Sequence, residues 1–235
     1  KTCVKELLWF IQGSTDNRIL NNQNVKIWNG NATREFLDSR GLYDNYENDL
    51  GPIYGHQWRF WNSEYKDFNT NYQNKGIDQL QNVIKALNDP SEKFSRRNIL
   101  TAWNPEQIDE MALPPCHVMS QFYVNEADEL SCSLYQRSGD IGLGIPFNIA
   151  SYSILTHLLA KHCGLKAGSF HHFIGIAHIY EEHLEVLKNQ LISKTHEFPK
   201  IQIVNKYKNI NDYKLDDIKV NNYKHEKTLK MSMIA

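Results

Sequence analysis

The stretch "LPPCHVMSQFYV", residues 113–124, places a cysteine and a histidine at the head of an extended apolar run. Pro114 and Pro115 restrict the backbone just ahead of Cys116. A cysteine attacks as the thiolate, and a free thiol has a pKa of about 8.5, so a reactive Cys116 needs cationic neighbours. A buried structural thiol is the competing interpretation. Because adjacent strand residues point to opposite faces, His117 is not expected to form a dyad with Cys116.

The overall composition is that of an ordinary folded protein. Of the 235 residues, 41% are hydrophobic and 23% are charged, which argues against disorder. The net charge of −1 gives no general reason to bind DNA or an acidic membrane surface. No apolar run reaches the roughly 18–20 residues of a membrane span. The four cysteines include no CxxC pair, so a reduced, cytoplasmic protein is expected.

The apolar spacing predicts both helices and strands. Helices are predicted at residues 4–11, 33–39, 77–87, 147–162 and 179–192. Strands are predicted at residues 98–103, 170–176 and 201–204, with a hairpin joining 116–124 to 130–136. Residues 43–75 are rich in Tyr, Asn, Asp and Gly and are predicted to be mostly loop. A single α/β or α+β domain around one sheet is therefore predicted for residues 1–235. Because residue 1 already lies within a helical pattern and is not Met, a further N-terminal segment is expected.

Two basic clusters flank Cys116 in the sequence. Arg96 and Arg97 precede it, and "QRSGD" at residues 136–140 follows it. Guanidinium groups bind phosphate oxygens bidentately, and the hydroxyl of Ser138 could donate a further hydrogen bond. Each arginine alone is common as a solvated surface charge, but clusters on both sides of a candidate nucleophile favour phosphate binding.

The glycine loop "DIGLGIPFN", residues 140–148, leads into the longest predicted helix. It lacks both the GxGxxG spacing and the strand–turn–helix context of a dinucleotide site, which excludes that interpretation. Asn148 is interpreted first as a helix N-cap, although its amide could also pair with a ligand base. The three histidines His171, His172 and His178 have no accompanying HExxH, CxxC or acidic cluster, so no metal site is predicted.

Taken together, these segments resemble thymidylate synthase. The resemblance covers nearly the whole chain, in the family's order, and is carried by the segments "ELLWFIQGST", "VKIWNGNATREFLD", "NDLGPIYGHQWR", "RRNILTAWNP", "MALPPCHVMSQFYV", "LYQRSGDIGLGIPFNIASYS", "AHIYEEH" and "KMSMIA". The cysteine block and the block that begins "QRSGD" are its most specific parts.

The resemblance implies a mixed, twisted β-sheet with flanking helices and a homodimeric enzyme that methylates dUMP to dTMP. The co-substrate 5,10-methylenetetrahydrofolate would supply both the carbon and the hydride. Cys116, activated by cationic surroundings that include Arg137, would attack C6 of the pyrimidine and make C5 nucleophilic. The ending "NNYKHEKTLKMSMIA" resembles bifunctional protozoal enzymes, so a fused dihydrofolate reductase domain is a possible partner.

The resemblance also implies a role for each matching residue. The catalytic set is Cys116, Glu6, Asn148, Arg137, Tyr54 and His117, with Glu6 organising proton transfer through water. The dUMP-binding set is Arg96, Arg97, Gln136, Arg137, Ser138, Gly139, Asp140, Asn148, His178 and Tyr180, of which the first two reach in from the partner subunit. The folate-binding set is Ile27, Trp28, Asn31, Asp140, Leu143, Gly144, Phe147, Met233 and Ile234. The terminal residues Met233, Ile234 and Ala235 would close over folate as a lid.

Three features depart from the family pattern. The loop that supplies a further phosphate-binding arginine would lie before residue 1. Ile176 stands where the family commonly carries Asp or Asn. Phe60, Trp61 and Asn62 replace the usual His-Phe-Gly after "QWR".

Three other functions fit parts of the sequence. A pyrimidine hydroxymethylase of the same fold would quench the intermediate with water rather than hydride, but its cytosine-specific version carries Asp at the position of Asn148. A truncated protein could bind nucleotide without turnover, although the intact Cys116, Glu6 and Asn148 argue against decay. A cysteine hydrolase needs a histidine base within reach of Cys116, and the resemblance offers none in that role.

Overall fold

Local sequence signals mark the ends of some of the helices. The computed structural model describes residues 1–233, and its helices are α1 Thr2–Ile11, α2 Asn17–Asn21, α3 Arg34–Ser39, α4 Tyr54–Phe60, α5 Gln79–Asn88, α6 Gly144–Cys163 and α7 Leu184–Leu191. Thr33 caps α3 by accepting a hydrogen bond from the N–H of Phe36, and Asp78 caps α5 in the same way. Helix α6 ends at Gly164, whose φ of 75° is the left-handed conformation that glycine adopts without strain.

A mixed four-stranded sheet forms the centre of the molecule. Its strands are β1 Ile99–Thr101, β2 His117–Val124, β3 Glu129–Asp140 and β4 Lys166–His178, in the order β1-β2-β3-β4. The first three strands pair antiparallel, whereas β3 and β4 pair parallel. A parallel pair needs a long crossover, and α6 supplies it and packs against both strands. A second, two-stranded antiparallel sheet joins β5 Lys200–Ile203 to β6 Ile218–Asn221. The predicted mixed α/β fold with flanking helices is confirmed.

Apolar residues of helices and sheet share one hydrophobic core. Helix α1 buries Leu7, Trp9 and Ile11, each 2% exposed or less, and α6 buries Leu155 and Leu158 completely. The opposite face of the sheet is different: Met119, Tyr135 and Phe173 lie in register across β2, β3 and β4 and are 38%, 45% and 59% exposed. We call this side of the sheet the outer face.

Several sequence predictions were wrong in detail. Residues 43–75 contain α4, which was missed because its Tyr, Gly and His residues are poor helix signals and because it is stabilised by tertiary contacts. The predicted helix at 179–192 begins only at Leu184, after a short 3₁₀ turn. Strand β6 was not predicted.

Candidate active site

Cys116 lies immediately before β2, and its backbone is fixed from two sides. Its N–H donates to the hydroxyl oxygen of Tyr54 on α4 at 2.7 Å, and the N–H of His117 reaches the same oxygen at 3.4 Å. The carbonyl of Cys116 accepts a 2.9 Å hydrogen bond from the N–H of Arg137 on β3. A helix and a neighbouring strand therefore hold the candidate nucleophile in place.

Arg137 lies across the prolines that precede Cys116. Its Nε donates to the carbonyl of Pro115 at 2.9 Å, and its Nη2 donates to the carbonyl of Pro114 at 2.8 Å. The guanidinium carbon lies 5.6 Å from the ring centre of Trp103. A guanidinium carries five N–H donors, so these two bonds leave others free for an anion. The two prolines thus contribute carbonyls that orient the arginine.

The surroundings of Cys116 favour its thiolate form only in part. Burial raises the pKa of Cys116, and the positive charge of Arg137 offsets this in part. The net direction is upward, so one chain by itself favours the thiol over the thiolate. A reactive thiolate at Cys116 would be favoured by positive charge beyond that of Arg137.

Glu6 provides a second titratable group in the same region. Its carboxyl oxygen Oε1 accepts a 2.8 Å hydrogen bond from the indole N–H of Trp28. Burial raises the pKa of Glu6 to about 7, although the bond from Trp28 acts in the opposite direction. A carboxyl group with this pKa can both accept and release a proton near neutral pH. Burial and the nearby Cys116 also raise the pKa of Tyr54, so its hydroxyl stays protonated.

A relay of hydrogen bonds fixes the orientation of Asn148. The side-chain nitrogen of Gln136 donates to the carbonyl of Ser138 at 2.8 Å, and because a carbonyl only accepts, this contact fixes which end of the Gln136 amide lies here. The same nitrogen donates to Oδ1 of Asn148 at 2.8 Å. Nδ2 of Asn148 therefore faces Nε2 of His117 at 2.6 Å and donates to it. On the other side, Nε2 of His172 lies 2.9 Å from Oε1 of Gln136, so Nε2 carries a hydrogen and donates it.

This geometry corrects the interpretation of Asn148 as an N-cap. Helix α6 begins at Gly144 and its N-cap position is Leu143, so Asn148 lies in the second turn. Its amide is used by the relay instead of by the helix terminus. One lone pair on Oδ1 and one hydrogen on Nδ2 remain for a ligand.

His117 is a neutral acceptor in this arrangement. Its ring packs against Tyr54 and Tyr152, with centroids 4.9 and 5.3 Å away, and burial lowers its pKa to about 3. Within residues 1–233, the sulfur of Cys116 has no hydrogen-bond partner. The described geometry therefore gives no support to a cysteine–histidine hydrolase.

The loop after β3 is built around Asp140. Its carboxylate accepts hydrogen bonds from the N–H groups of Gly142, Leu143 and Gly144 at 2.9, 3.1 and 3.3 Å. Gly139 lies close to Ile145: a Cβ at this position would lie 2.5 Å from Cδ1 of Ile145, so that side chain would have to move. Three residues of the predicted folate set are thus part of one compact loop.

The remaining predicted residues lie around this loop and around α1. His178 pairs with Asp140 in the sheet, and its ring lies edge-on to Tyr180 at 5.2 Å. The buried Trp28 packs edge-on against Tyr54, with ring centroids 6.1 Å apart. Ile27 and Asn31, which are near Trp28 in the sequence, are partly buried, and Phe147 is 37% exposed. Met233 is 59% exposed, whereas Ile234 and Ala235 lie outside the described residues.

Arg96 and Arg97 are not brought to this site within one chain. Both are exposed just before β1, and the carbonyl of Arg96 accepts a 2.7 Å hydrogen bond from the side chain of Gln121. Gln121 lies on β2 between Met119 and Tyr123, two residues of the outer face. The two arginines therefore border the outer face of the sheet.

Residues 1–233 show neither a cluster of metal ligands nor a membrane-spanning helix. They contain no group of three or more His, Cys, Asp or Glu residues that could hold a metal ion. None of the helices in this range has both the length and the apolar character needed to cross a membrane.

Sequence reasoning missed the roles of His172 and Trp103 in the site. His172 was considered only as a metal ligand, although its position on an extended run next to the QRSGD strand was the available signal. Trp103 gave no signal, because its approach to Arg137 depends on how the segment after β1 turns.

Comparison with known proteins gives the family of this chain. The thymidylate synthase family model matches residues 1–235. The chain belongs to the thymidylate synthase family. It is 50% identical over 233 residues to thymidylate synthase from Homo sapiens, covering 99% of this chain and 74% of that one. It is 46% identical over 238 residues to the Saccharomyces cerevisiae thymidylate synthase, covering 98% of this chain and 78% of the relative.

A bifunctional relative is equally similar. The bifunctional dihydrofolate reductase-thymidylate synthase of Plasmodium berghei is 51% identical over 233 residues. The match covers 99% of this chain but only 39% of that relative. The chain therefore spans about two fifths of the length of such relatives. The resemblance seen in the sequence is confirmed at the level of the family.

Proposed function

We propose that this protein is a thymidylate synthase that methylates dUMP to dTMP. The observation that carries the proposal is the fixed amide of Asn148, linked through His117 to the strand that Cys116 precedes. The free lone pair of Oδ1 can accept the N3–H of uracil while the free Nδ2 hydrogen is donated to O4. Membership of the family supports the same conclusion.

Cys116 is the proposed nucleophile. Its sulfur loses a proton and bonds to C6 of the pyrimidine, and the displaced electron pair makes C5 nucleophilic. The co-substrate 5,10-methylenetetrahydrofolate supplies the one-carbon unit and the hydride. Glu6, with a pKa of about 7, is suited to shuttle protons through water near O4, and the neutral His117 holds Asn148 in place. C5 bonds to this one-carbon unit and then loses its hydrogen as a proton, while the bond from the one-carbon unit to the folate nitrogen breaks. The hydride from the folate completes the methyl group as the sulfur leaves C6, and dihydrofolate is released.

Binding of dUMP is assigned to the strand end and loop that follow Arg137. The free N–H groups of Arg137, with Gln136, Ser138 and Gly139 beside it, are proposed to hold the phosphate and the nucleotide. His178 and Tyr180 are proposed to contact the ribose. Folate is assigned to the face formed by Ile27, Trp28, Asn31, Asp140, Leu143, Gly144, Phe147 and Met233, with Ile234 as a further contact.

The active form is proposed to be a homodimer that joins the outer faces of two sheets. The row of Met119, Tyr135 and Phe173 is an exposed apolar strip of the kind that marks an interface. Arg96 and Arg97 border this face, so a two-fold axis through it would carry them towards the partner's Cys116. They would supply the positive charge that one chain lacks.

The length of the bifunctional relatives supports two further proposals. Residues 1–235 form the synthase domain, and a dihydrofolate reductase domain could be fused before it. The cytoplasm remains the predicted location.

The direct test is tritium release from C5-labelled dUMP in the presence of methylenetetrahydrofolate, with the product identified by mass. We expect release of the label and a product that is heavier by one methyl group. A hydroxymethyl product would favour the hydroxymethylase. A folded dimer that carries any upstream segment and binds dUMP without releasing tritium would favour a non-catalytic nucleotide-binding protein.

A further inference from the structure

His183, just before α7, is completely buried next to the end of the described chain. Its Nε2 lies 2.7 Å from the carbonyl oxygen of Ser232, 49 positions later in the sequence. A carbonyl oxygen only accepts, so Nε2 carries the hydrogen and donates it. The ring of Tyr180 packs edge-on against this imidazole at 5.6 Å. His183 therefore ties the C-terminal segment, residues 231–233, to the protein.

The other nitrogen of the same ring faces the loop after β3. Nδ1 of His183 lies 3.7 Å from Oδ1 of Asp140 and has no hydrogen-bond partner within residues 1–233. Asp140 is the residue whose carboxylate holds the N–H groups of Gly142, Leu143 and Gly144. One imidazole thus contacts both the organising carboxylate of this loop and the C-terminal segment.

Gly142 gives an independent indication of the same junction. A Cβ on Gly142 would lie 2.7 Å from Nδ1 of His183 and 3.1 Å from Sδ of Met231. Both distances are too short for an unstrained contact, and the ring is buried and has little freedom to move. Only glycine allows the loop, the ring and Met231 to approach so closely.

We propose that His183 is a positioning residue that couples the C-terminal segment to the loop 140–144. Since Nε2 holds the segment and Nδ1 abuts the carboxylate of the loop, displacement of either part disturbs the other. The inference rests on the proposed function in one respect, namely that this loop contacts folate. It follows that loss of His183 weakens the productive binding of folate more than that of dUMP.

The first test measures how often the segment detaches. Lys230 directly precedes Met231, so cleavage by trypsin after Lys230 requires the adjacent segment to leave its site. We expect His183→Leu to raise the initial cleavage rate after Lys230 by about tenfold, as one lost hydrogen bond implies. His183→Gln should show a smaller rise, because its amide N–H can still donate to Ser232.

Matched controls separate this effect from general loosening. His196 also contacts the C-terminal part of the chain, through a 2.7 Å hydrogen bond with Glu226, but it does not contact the loop 140–144. His196→Leu should therefore leave the cleavage rate after Lys230 unchanged. Cleavage after the exposed Lys75 in the same digest reports loosening in a part of the chain away from this junction. Gly142→Ala retains His183 and disturbs the junction from the loop side, so it should also speed cleavage. If neither His183→Leu nor Gly142→Ala changes the rate after Lys230 relative to Lys75, the coupling is wrong.

The second test separates the inference from the proposed function. In tritium release, His183→Leu should raise the KM for methylenetetrahydrofolate about tenfold and change the KM for dUMP by less than about twofold. Equal changes in both KM values would overturn the assignment of His183 to folate binding. If even the unmodified protein shows no turnover, the proposed function fails, whereas the trypsin result still decides whether His183 holds the segment.

Discussion

The side-chain nitrogen of Asn148 lies 2.6 Å from Nε2 of His117, and this contact sets which end of the amide faces a bound base. Because Gln136 donates to the oxygen of Asn148, the amide cannot flip without losing both bonds. The orientation that would let it read uracil is therefore present before any ligand binds. A pre-oriented amide reduces the cost of binding the correct base.

Asn148→Asp should change the base preference. The carboxylate only accepts, so it repels O4 of uracil but can accept from the amine of cytosine. His117 can adapt, because its Nδ1 has no partner within the described residues and the ring can move its hydrogen to Nε2. An unpaired buried polar group costs roughly 1–3 kcal/mol, so we expect dUMP turnover to fall about ten- to a hundredfold and binding or methylation of dCMP to appear.

The measurement for this variant is kcat/KM with each nucleotide. Asn88→Asp is a suitable control, because Asn88 lies on α5 against Cys163, away from the relay. Its preference should remain that of the unmodified protein. If Asn148→Asp keeps the same preference for dUMP, Asn148 does not read the base.

Cys116→Ser should abolish dTMP formation but leave dUMP binding detectable. A hydroxyl has a far higher pKa than a thiol, and burial, which already raises the pKa of Cys116, would raise that of a serine further. Tritium release measures turnover, and calorimetry measures binding. Cys163→Ser, also a half-buried cysteine but located at the end of α6, should remain active. Substantial turnover by Cys116→Ser would end the assignment of the nucleophile.

Mixing two inactive variants should restore activity if Arg97 acts across the dimer. In a random mixture of Arg97→Ala and Cys116→Ala chains, about a quarter of the sites combine an intact Cys116 with an intact partner arginine. Activity near that fraction of the unmodified level is expected after exchange of subunits. Arg137→Ala mixed with Cys116→Ala should stay inactive, because both residues belong to the same chain's site. If mixtures of Arg97→Ala and Cys116→Ala chains remain as inactive as either variant alone, Arg97 acts in the site of its own chain or in neither site.

Glu6→Gln should make stability less dependent on pH. The pKa of Glu6 is raised by burial to about 7 in the folded protein, above its ordinary value of 4.5, so folding takes up a proton between these values. The free energy of unfolding of the unmodified protein therefore falls by about 3 kcal/mol as pH rises through this window. Above pH 7 it levels off. Glutamine keeps the acceptor for Trp28 without the charge, so the variant should be the more stable protein at pH 8.

Urea unfolding of both proteins from pH 4.5 to pH 8 measures this difference. The advantage of Glu6→Gln should shrink towards zero at the acidic end. Glu185→Gln is the control, because Glu185 is exposed on α7 and pairs only with Lys188 at the surface. A difference between Glu6→Gln and the unmodified protein that is constant over the whole range would show that Glu6 does not titrate in this window.

The fold was predictable where a pattern is local. Helix α5 repeats its apolar residues at helical spacing and begins at a capping aspartate, and the β2–β3 hairpin has extended runs on both sides of a polar turn. Helix α4 was not predictable, because its position depends on α1 and the turn after it: a Cβ on Gly55 would lie within 3.2 Å of backbone atoms of Phe10, Gly13 and Ser14, which are far away in the sequence. The parallel pairing of β3 with β4 likewise depends on contacts across α6.

The candidate site was predictable by type but not by arrangement. Residue types alone left Cys116 open between a structural thiol and a nucleophile and favoured an N-cap for Asn148, and the resemblance supplied their proposed roles. That Gln136 orients Asn148 follows only from the packing of α6 on β3, and that the carbonyls of Pro114 and Pro115 orient Arg137 follows only from the pairing of β3 with the start of β2. Hydrogen bonds of this kind, which orient a site residue from a neighbouring element, leave no periodic pattern in a sequence.

The parallel pairing of β3 and β4 has a consequence for the order in which the protein is made. During synthesis the β2–β3 hairpin can form soon after it leaves the ribosome, because its contacts are local. Strand β4 cannot join until the 20 residues of α6 have followed, and until then one edge of β3 has no neighbour. The nascent chain thus holds Cys116 and Arg137 together while His172 and His178 are still missing, and this interval is when we expect it to depend most on chaperones.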